Sequence, residues 1–212
     1  RTGHAPRGCQ RTDAWSMALS LFTDYEPIDY SFEDEDGATI QLTVLGWRQG
    51  GCQGVWSDVL PRVLALNGPM VAGKSVLELG AGCGLIGILA SRLAPVVDVS
   101  DGDEEEVALI AVNCAEHAPP TARHLAAAHL DWNEPAAAQG LRGHRGYECV
   151  LASQVVYQVD YIPLLAATVA YYLSDGGTCY VYNSAVATWS TQDQCRKLFL
   201  SSARRLILRH RH

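Results

Sequence analysis

The sequence lacks long hydrophobic runs and has no excess of positive charge, and each absence excludes a class of protein. No apolar stretch approaches the roughly 18 residues that a membrane span requires, and the first residues carry no signal-peptide core. Asp and Glu number 23 against 16 Lys and Arg, so the net charge is -7. We therefore expect neither a membrane protein nor a surface built mainly to bind nucleic acid.

Cysteine pairs and metal-binding spacings are also missing. The seven cysteines include no C-x-x-C pair, a pattern typical of reduced thiols in the cytoplasm, with the nucleus as the alternative compartment. His117, His124 and His129 form no recognisable ligand pattern, so we expect no metal site. The 212 residues, 48% of them hydrophobic, suffice for one sizeable core. Composition gives no indication of oligomeric state.

Two segments precede the main body of the chain. Acidic residues crowd the stretch from Asp24 to Asp36, which we expect to be mobile or surface chain. From Ala38 to Trp47, apolar residues alternate with polar ones, which is the period of a strand or hairpin. These patterns predict a partly flexible N-terminal extension over residues 1–37, followed by one domain over 38–212 with its core at 54–184.

Helix and strand patterns alternate through the rest of the sequence. Val55, Val59, Val63 and Leu66 lie at helical spacing and form one apolar stripe. The alternation predicts an α/β fold, a Rossmann-like doubly wound and mainly parallel sheet with helices on both faces. The predicted elements after the first helix are the strand Ser75–Gly80, helix Leu85–Leu93, strand Val96–Ser100, helix Asp103–His117, strand Leu125–Leu130, strand Cys149–Ser153, helix Tyr161–Leu173, strand Thr178–Asn183 and helix Ser190–Arg209.

Two glycine-rich nucleotide motifs overlap between Gly68 and Gly84. Gly68 to Ser75 fit the P-loop pattern G-x-x-x-x-G-K-S, but a helix precedes this stretch and a strand follows it. A P-loop requires the reverse order, because the strand must deliver the glycines to the N-terminus of a helix. In this context Lys74 lies at the amino end of a strand, away from the ligand edge of the sheet. We therefore reject the P-loop.

The second motif has the right neighbours on both sides. Gly80, Gly82 and Gly84 follow an apolar strand and precede an amphipathic helix, which is the arrangement of dinucleotide and S-adenosylmethionine sites. Asp101 follows the next strand about 20 residues later, where an acidic residue binds ribose hydroxyls. Glu78 suits a cationic ligand better than a pyrophosphate, although it could also cap local backbone. The residues alone leave both cofactors open.

Five segments occur in an order that narrows the choice. They are GVWSDVL (Gly54–Leu60), KSVLELGAGCGLIGILAS (Lys74–Ser91), VSDGDEEEVALIAVNC (Val99–Cys114), LDW (Leu130–Trp132) and ECVLASQVVYQVDYIPLL (Glu148–Leu165). Together they resemble the seven-β-strand S-adenosylmethionine-dependent methyltransferases, and more narrowly methyltransferase family 16, which contains many protein-lysine methyltransferases. That family fold closes with two further strands after its last helix, and we expect these strands to be missing from this sequence.

The resemblance implies a cofactor, a reaction and the residues that carry them. The cofactor is S-adenosyl-L-methionine, and the implied reaction is N-methylation of a lysine side chain in a protein substrate. Tyr157 and Gln154 are the implied catalytic residues, which orient the acceptor amine. The residues implied in cofactor binding are Trp56, Glu78, Gly80, Gly82, Gly84, Asp101, Trp132 and Ser153.

The sequence departs from the family at Gln154. The family usually has an aspartate there, in the motif Asp-x-x-Tyr, whereas this sequence has Gln154-Val155-Val156-Tyr157. Glutamine keeps hydrogen-bonding groups but loses the negative charge that would attract a lysine ammonium. This departure motivates an alternative, a cofactor-binding pseudoenzyme or scaffold with no transfer activity. A third hypothesis, an NAD(P)-dependent oxidoreductase, shares the glycine turn but leaves the G-V-W and Tyr157 segments unexplained.

Overall fold

An antiparallel hairpin precedes the main sheet. The structure is a computed structural model that describes residues 24–47, 57–120, 122–156, 158–183 and 197–202. Strand β1 (Tyr25–Glu33) pairs along its whole length with strand β2 (Thr39–Trp47), which confirms the strand predicted after Ala38. The acidic run from Asp34 forms the turn, where the Asp34 carboxylate accepts hydrogen bonds from the backbone N–H groups of Asp36 and Ala38.

The prediction of mobile or surface chain from Asp24 to Asp36 is wrong. Ile28 and Phe32 are buried, while Asp29 and Glu33 on the same strand are exposed. The acidic residues between the apolar ones are thus the solvent face of a half-buried strand. The division into an extension over 1–37 and a domain over 38–212 places its boundary in the hairpin turn, and that division stays a prediction.

The central sheet has five parallel strands in the part of the chain that the structure describes. They are β3 (Ser75–Leu79), β4 (Val96–Asp101), β5 (His124–His129), β6 (Tyr147–Ser153) and β7 (Leu173–Tyr182), in the spatial order β5-β4-β3-β6-β7. Strand β3 lies at the centre, and all five of its residues are buried. The order reverses on either side of β3, so the crevice at the carboxyl ends of β3, β4 and β6 is the topological switch point where ligands bind.

Helices cover both faces of this sheet, which confirms the predicted fold class. They are α1 (Val59–Leu66), α2 (Leu85–Ala90), α3 (Glu104–His117), α4 (Ile162–Tyr172) and α5 (197–202). Alternate residues of β3 enter two separate cores: Val76 packs with the hairpin and α1 to α3, whereas Leu77 and Leu79 pack with α4. No helix in the described stretches has the length and apolar character needed to cross a membrane.

The buried face of α1 differs from the predicted stripe. Val59, Val63 and Leu66 are 38%, 39% and 52% exposed, whereas Leu60 and Leu64 are buried. The sequence of this helix carries two apolar stripes, and Leu60 and Leu64 face β1 and α2 because these are the elements against which α1 packs. Val55 lies outside the described residues, as do most residues of the predicted helix from Ser190 to Arg209.

A buried amide joins the hairpin to the main domain. The Asn113 side chain on α3 accepts a hydrogen bond from the backbone N–H of Leu45 at 2.8 Å and donates to the Leu45 carbonyl at 2.9 Å. The same amide nitrogen also donates to the carbonyl of Cys83, in the glycine loop, at 2.9 Å. Asn113 is fully buried. One side chain therefore fixes both the hairpin and the loop that follows β3.

We expect Asn113→Ala to lower the free energy of unfolding by about 3 kcal/mol, because it leaves one backbone N–H and two carbonyls buried without partners. Urea denaturation followed by circular dichroism measures the change. Asn133→Ala is the matched control, since it removes an amide from an exposed position. Equal losses of stability in the two variants would contradict the bridging role.

Candidate active site

A cavity of about 810 Å³ opens at the carboxyl ends of β3, β4 and β6. It lies at the switch point of the sheet, where the sequence predicts the ligand. Its volume is in the range of pockets that hold a small ligand or cofactor. Residues of the glycine loop, of α3 and of the segments after β5 and β6 line it.

The glycine loop needs a left-handed backbone at three positions. Gly80, Gly82 and Gly84 have φ values of +62°, +56° and +78°, a region that residues with a side chain rarely adopt. A Cβ atom at Gly80 would lie 2.7 Å from Cγ1 of Val155, so a glycine is required there for packing. A Cβ atom at Gly82 would meet no atom of the described residues within 4 Å. Gly82 thus presents bare backbone to the cavity.

Asp101 lines the cavity and also holds the glycine loop in place. One oxygen of its carboxylate accepts the backbone N–H of Gly82 at 3.0 Å, and the other accepts that of Asp103 at 3.2 Å. The end of β4 is thereby fastened to the loop that follows β3. Asp101 lies at the end of the strand that follows the glycine loop, as the sequence predicts, and its contact with ribose hydroxyls stays a prediction.

Glu78 is buried beneath the loop and reaches the cavity. It is 2% exposed, and its Oε2 accepts the backbone N–H of Gly87 at 2.6 Å. Burial raises the pKa of this carboxyl to about 8, partly offset by the Gly87 hydrogen bond and reinforced by the nearby Asp101 charge. Glu78 does cap local backbone, in the first turn of α2, and it also lines the cavity, whereas its contact with a cationic ligand stays a prediction.

Acidic side chains dominate the polar lining of the cavity. None of the lining residues that the structure describes is Lys, Arg or His. A pyrophosphate would meet only repulsion from such a set, whereas a sulfonium and an ammonium group would be attracted. The acidic side chains concerned are Asp101, Asp103 and Asp131, together with Glu78 and Glu106, whose raised pKa values of about 8 and about 7 reduce their charge near neutral pH.

Glu106 is a cavity residue that the sequence did not single out. It lies in the first turn of α3, which Asp103 caps, and the Tyr25 hydroxyl of β1 donates to its Oε1 at 3.5 Å. Burial raises the pKa of Glu106 to about 7, with Asp101 as the next cause. The sequence offered three consecutive glutamates at this position, and only the contact with the hairpin distinguishes Glu106 from its neighbours.

The cavity is also lined by three residues from the segments at the ends of β5 and β6, which are Trp132, Ser153 and Gln154. The ring of Trp132 packs over the loop, 3.5 Å from where a Cβ of Gly80 would lie. The hydroxyl of Ser153 is buried and has no hydrogen-bond partner within the described part of the chain. Gln154 has a φ of +60° and donates its backbone N–H to the Tyr182 carbonyl at 2.7 Å. Trp56 and Tyr157 lie outside the described residues, so their predicted roles stay predictions.

The P-loop lysine lies at the other end of β3, as the sequence predicts. The Nζ atom of Lys74 donates to the carbonyls of Met70 at 2.7 Å and Pro69 at 3.3 Å. Its ammonium thus closes the short 3₁₀ turn Gly68–Met70 that follows α1. Lys74 precedes the first residue of β3, whereas the cavity begins at Glu78, near the end of the strand.

The raised pKa of Glu78 predicts how stability depends on pH. Between its ordinary value of 4.5 and about 8, the folded chain holds a proton that the unfolded chain has released, so raising the pH favours unfolding. We expect the free energy of unfolding to fall from about pH 5 to about pH 8 and Glu78→Gln to flatten this slope. Glu106 contributes with the same sign below about pH 7. Urea denaturation across this range would contradict the assignment if both proteins gave the same slope.

Solved structures share the fold of this chain. A proposed S-adenosylmethionine-dependent methyltransferase from Streptococcus mutans superimposes with a TM-score of 0.55 at 18% identity, over 82% of this chain and 46% of the other. A proposed sarcosine dimethylglycine methyltransferase from Galdieria sulphuraria gives a TM-score of 0.51 at 14% identity, over 70% and 59% of the two chains. At such low identity these likenesses concern the fold alone.

Curated relatives are similar in sequence over much of the chain. Protein N-lysine methyltransferase METTL21A of Danio rerio is 32% identical over 62% of this chain and 60% of its own length. EEF1A lysine methyltransferase 3 of Mus musculus is 33% identical over 59% and 52%. METTL21A of Mus musculus is 30% identical over 76% and 72%. The chain thus spans about half to three fifths of the first two relatives.

The family profile described as Lysine methyltransferase, Methyltransf_16, matches residues 57–199. This range contains the glycine loop and the described acidic residues of the cavity. Because the match covers more than half of the 212 residues, the chain belongs to this lysine methyltransferase family, and S-adenosyl-L-methionine is its cofactor.

Proposed function

We propose that the protein transfers a methyl group from S-adenosyl-L-methionine to a lysine side chain of a protein substrate. The cavity carries this proposal, because it joins bare backbone at Gly82 to a ring of carboxylates at the switch point of the sheet. The relatives named as protein N-lysine methyltransferases support the choice of substrate. An oxidoreductase has no comparable support, since an acid-lined cavity disfavours a pyrophosphate.

The residues around the cavity fit this cofactor. Gly80 and Gly82 offer backbone to its methionine portion, Asp101 is placed to accept ribose hydroxyls, and Trp132 covers the loop as an apolar wall. Asp101, Asp103 and Asp131 supply carboxylates, and the raised pKa values of Glu78 and Glu106 favour their neutral, protonated forms in the cavity without cofactor. When bound, the cofactor supplies a methyl group that its sulfonium has already activated.

The chain itself has to align the acceptor and exclude water. The acceptor side of the cavity is formed by Ser153 and Gln154, whose hydroxyl and amide can hydrogen-bond a neutral amine. Val155 is buried against Gly80 and closes the floor between the two sides. A strong general base is not required if the lysine is presented deprotonated, because an activated methyl group needs only a free lone pair in line.

A second candidate is a cofactor-binding protein that transfers no methyl group. Gln154 favours it, because the family resemblance places a charged aspartate at this position. The two candidates agree on cofactor binding and differ in turnover. The geometry of Gln154 favours the enzyme, since a cavity-lining residue held at a φ of +60° is strained, and strain of this kind is concentrated at functional sites.

The first test is binding and transfer by the protein itself. We expect calorimetry to show micromolar affinity for S-adenosyl-L-methionine and none for NAD at about 1 mM, because the carboxylates attract only the cationic ligand. Incubation with labelled cofactor and a cell lysate should label lysine residues, identified by mass spectrometry. Binding of NAD in place of S-adenosyl-L-methionine would contradict the proposal.

Gln154→Asp separates the enzyme from the scaffold within the same assay. Methyl transfer by the wild-type protein supports the enzyme directly. The change in transfer rate in Gln154→Asp then measures how much a negative charge at this position contributes. If the wild-type protein binds the cofactor but labels nothing, transfer by Gln154→Asp indicates a lost activity. If both proteins bind the cofactor and neither transfers a methyl group, the result favours the scaffold.

The open space at Gly82 predicts a variant that impairs binding more than folding. We expect Gly82→Ala to weaken affinity for the cofactor about tenfold, because its methyl group occupies the cavity, and to cost about 1–2 kcal/mol for the left-handed backbone. Gly87→Ala is the contrast, since its Cβ would lie 2.4 Å from Val99 inside the core. Calorimetry and thermal denaturation measure the two effects. Unchanged affinity in Gly82→Ala would show that the cofactor does not approach this backbone.

We propose a cytoplasmic protein, with the nucleus as the alternative. The described cysteines support this, because Cys83, Cys114, Cys149 and Cys179 are all free thiols, and burial raises the pKa of each of them. Protonated, buried thiols persist in a reducing compartment. Fractionation of cells that express the tagged protein tests the location.

A further inference from the structure

The side chain of Asn183 pairs with the backbone of Val156. Its Oδ1 accepts the Val156 N–H at 3.0 Å, and its Nδ2 donates to the Val156 carbonyl at 2.9 Å. Asn183 directly follows β7, and Val156 lies beyond the end of the neighbouring strand β6. The Asn183 side chain therefore adds one more pair of hydrogen bonds beyond the ends of β6 and β7. Its amide takes the place of the backbone groups that pair within the strands.

A third hydrogen bond joins the same two segments. The backbone N–H of Gln154 donates to the carbonyl of Tyr182 at 2.7 Å. Residues 154–156 are thus fastened at both ends to residues 182–183. Gln154 is held in the left-handed region, which costs about 1–2 kcal/mol for a residue with a side chain. A conformation of that cost persists only where the surroundings impose it.

The fastened segment is the acceptor wall of the cavity. Gln154 and Val155 both line the cavity, and Val155 packs on Gly80, so any shift of this segment alters the distance between the acceptor side and the glycine loop. Asn183 itself is not among the residues that line the cavity. Any effect of Asn183 on the reaction has to pass through Gln154 and Val155.

We propose that Asn183 is a positioning residue for methyl transfer, whose amide holds Gln154 at the acceptor side of the cavity. The inference rests on the proposed function and adds a residue to it. A positioning role and a purely structural role predict different results. If Asn183 positions Gln154, its loss should disturb the alignment of the acceptor but leave cofactor binding, which depends on β3 and β4, unchanged.

Asn183→Ala tests the proposal with two readouts. We expect kcat to fall about tenfold to a hundredfold, because misplacement of the aligning group by about 1 Å has effects of this size. The Kd for S-adenosyl-L-methionine should stay within about twofold of the wild type. Independently of activity, hydrogen exchange measured by mass spectrometry should accelerate in the peptide that contains Gln154 and Val156 and not in the peptide that contains the glycine loop.

Asn67→Ala is the matched control. Its Nδ2 donates to the Val63 carbonyl at 2.8 Å, so that this variant also loses an amide-to-backbone hydrogen bond, but at the end of α1 and away from the cavity. It should leave both kcat and the exchange of the Gln154 peptide unchanged. Asn183→Gln keeps the carbonyl and NH2 groups of the amide on a side chain that is one methylene longer, and it should retain part of the kcat that Asn183→Ala loses.

The outcomes separate this inference from the proposed function. The inference is overturned if Asn183→Ala lowers kcat no more than Asn67→Ala does, or if it raises the cofactor Kd in proportion to the loss of kcat. It is also overturned if exchange of the Gln154 peptide does not change. If the wild-type protein binds cofactor but transfers nothing, the proposed function fails instead, and the exchange experiment alone decides whether Asn183 holds this segment.

Discussion

The site depends on one carboxyl group buried beneath the glycine loop. Glu78 lies at the centre of the sheet, where a charged group is costly, and within the described part of the chain its carboxylate accepts one hydrogen bond, from the Gly87 backbone N–H. Gly87 has to be a glycine because a Cβ there would lie 2.8 Å from Glu78 Oε2. This contact therefore requires a close approach of α2 to β3.

The hairpin belongs to the same framework, although the sequence presents it as an extension. Helix α3 makes hydrogen bonds to the hairpin at three positions along its length. The pairs are Glu106 with Tyr25, Asn113 with Leu45, and His117 with the carbonyl of Thr43. Asn113 also reaches the glycine loop at Cys83. The hairpin thus contacts both the helix that carries Glu106 and the Asn113 side chain that holds the glycine loop.

Sequence patterns predicted the parts of the fold that depend on local periodicity. The central strands and the glycine turn were found because apolar runs and left-handed backbone leave a local signature, and the spacing to Asp101 follows from one βαβ unit. Strand β1 was missed because its buried residues Tyr25, Ile28 and Phe32 lie three and four positions apart, with acidic residues between them, and do not alternate strictly as a strand pattern does. The prediction of the buried face of α1 was wrong because its eight residues carry two apolar stripes. Only the elements that pack against the helix determine which stripe is buried.

Residues whose role depends on a distant partner could not be found in this way. Glu106 is one of three adjacent glutamates, Asn113 resembles an ordinary polar helix residue, and Asn183 follows a strand at a point where asparagine is common. Each acquires its role from a contact many positions away: 81 residues for Glu106, 68 for Asn113 and 27 for Asn183. Sequence spacing carries no information about such contacts.

The absence of an acid at position 154 changes what the acceptor wall has to do. Under the proposed function, attraction of a cation does not depend on that position, because Asp101, Asp103 and Asp131 also line the cavity. The role that we propose for the wall is therefore orientation of the acceptor, which a neutral amide can provide only if its backbone is fixed, since it lacks the long range of a charge. The left-handed backbone of Gln154 and its fastening to the end of β7 are what supply that fixation.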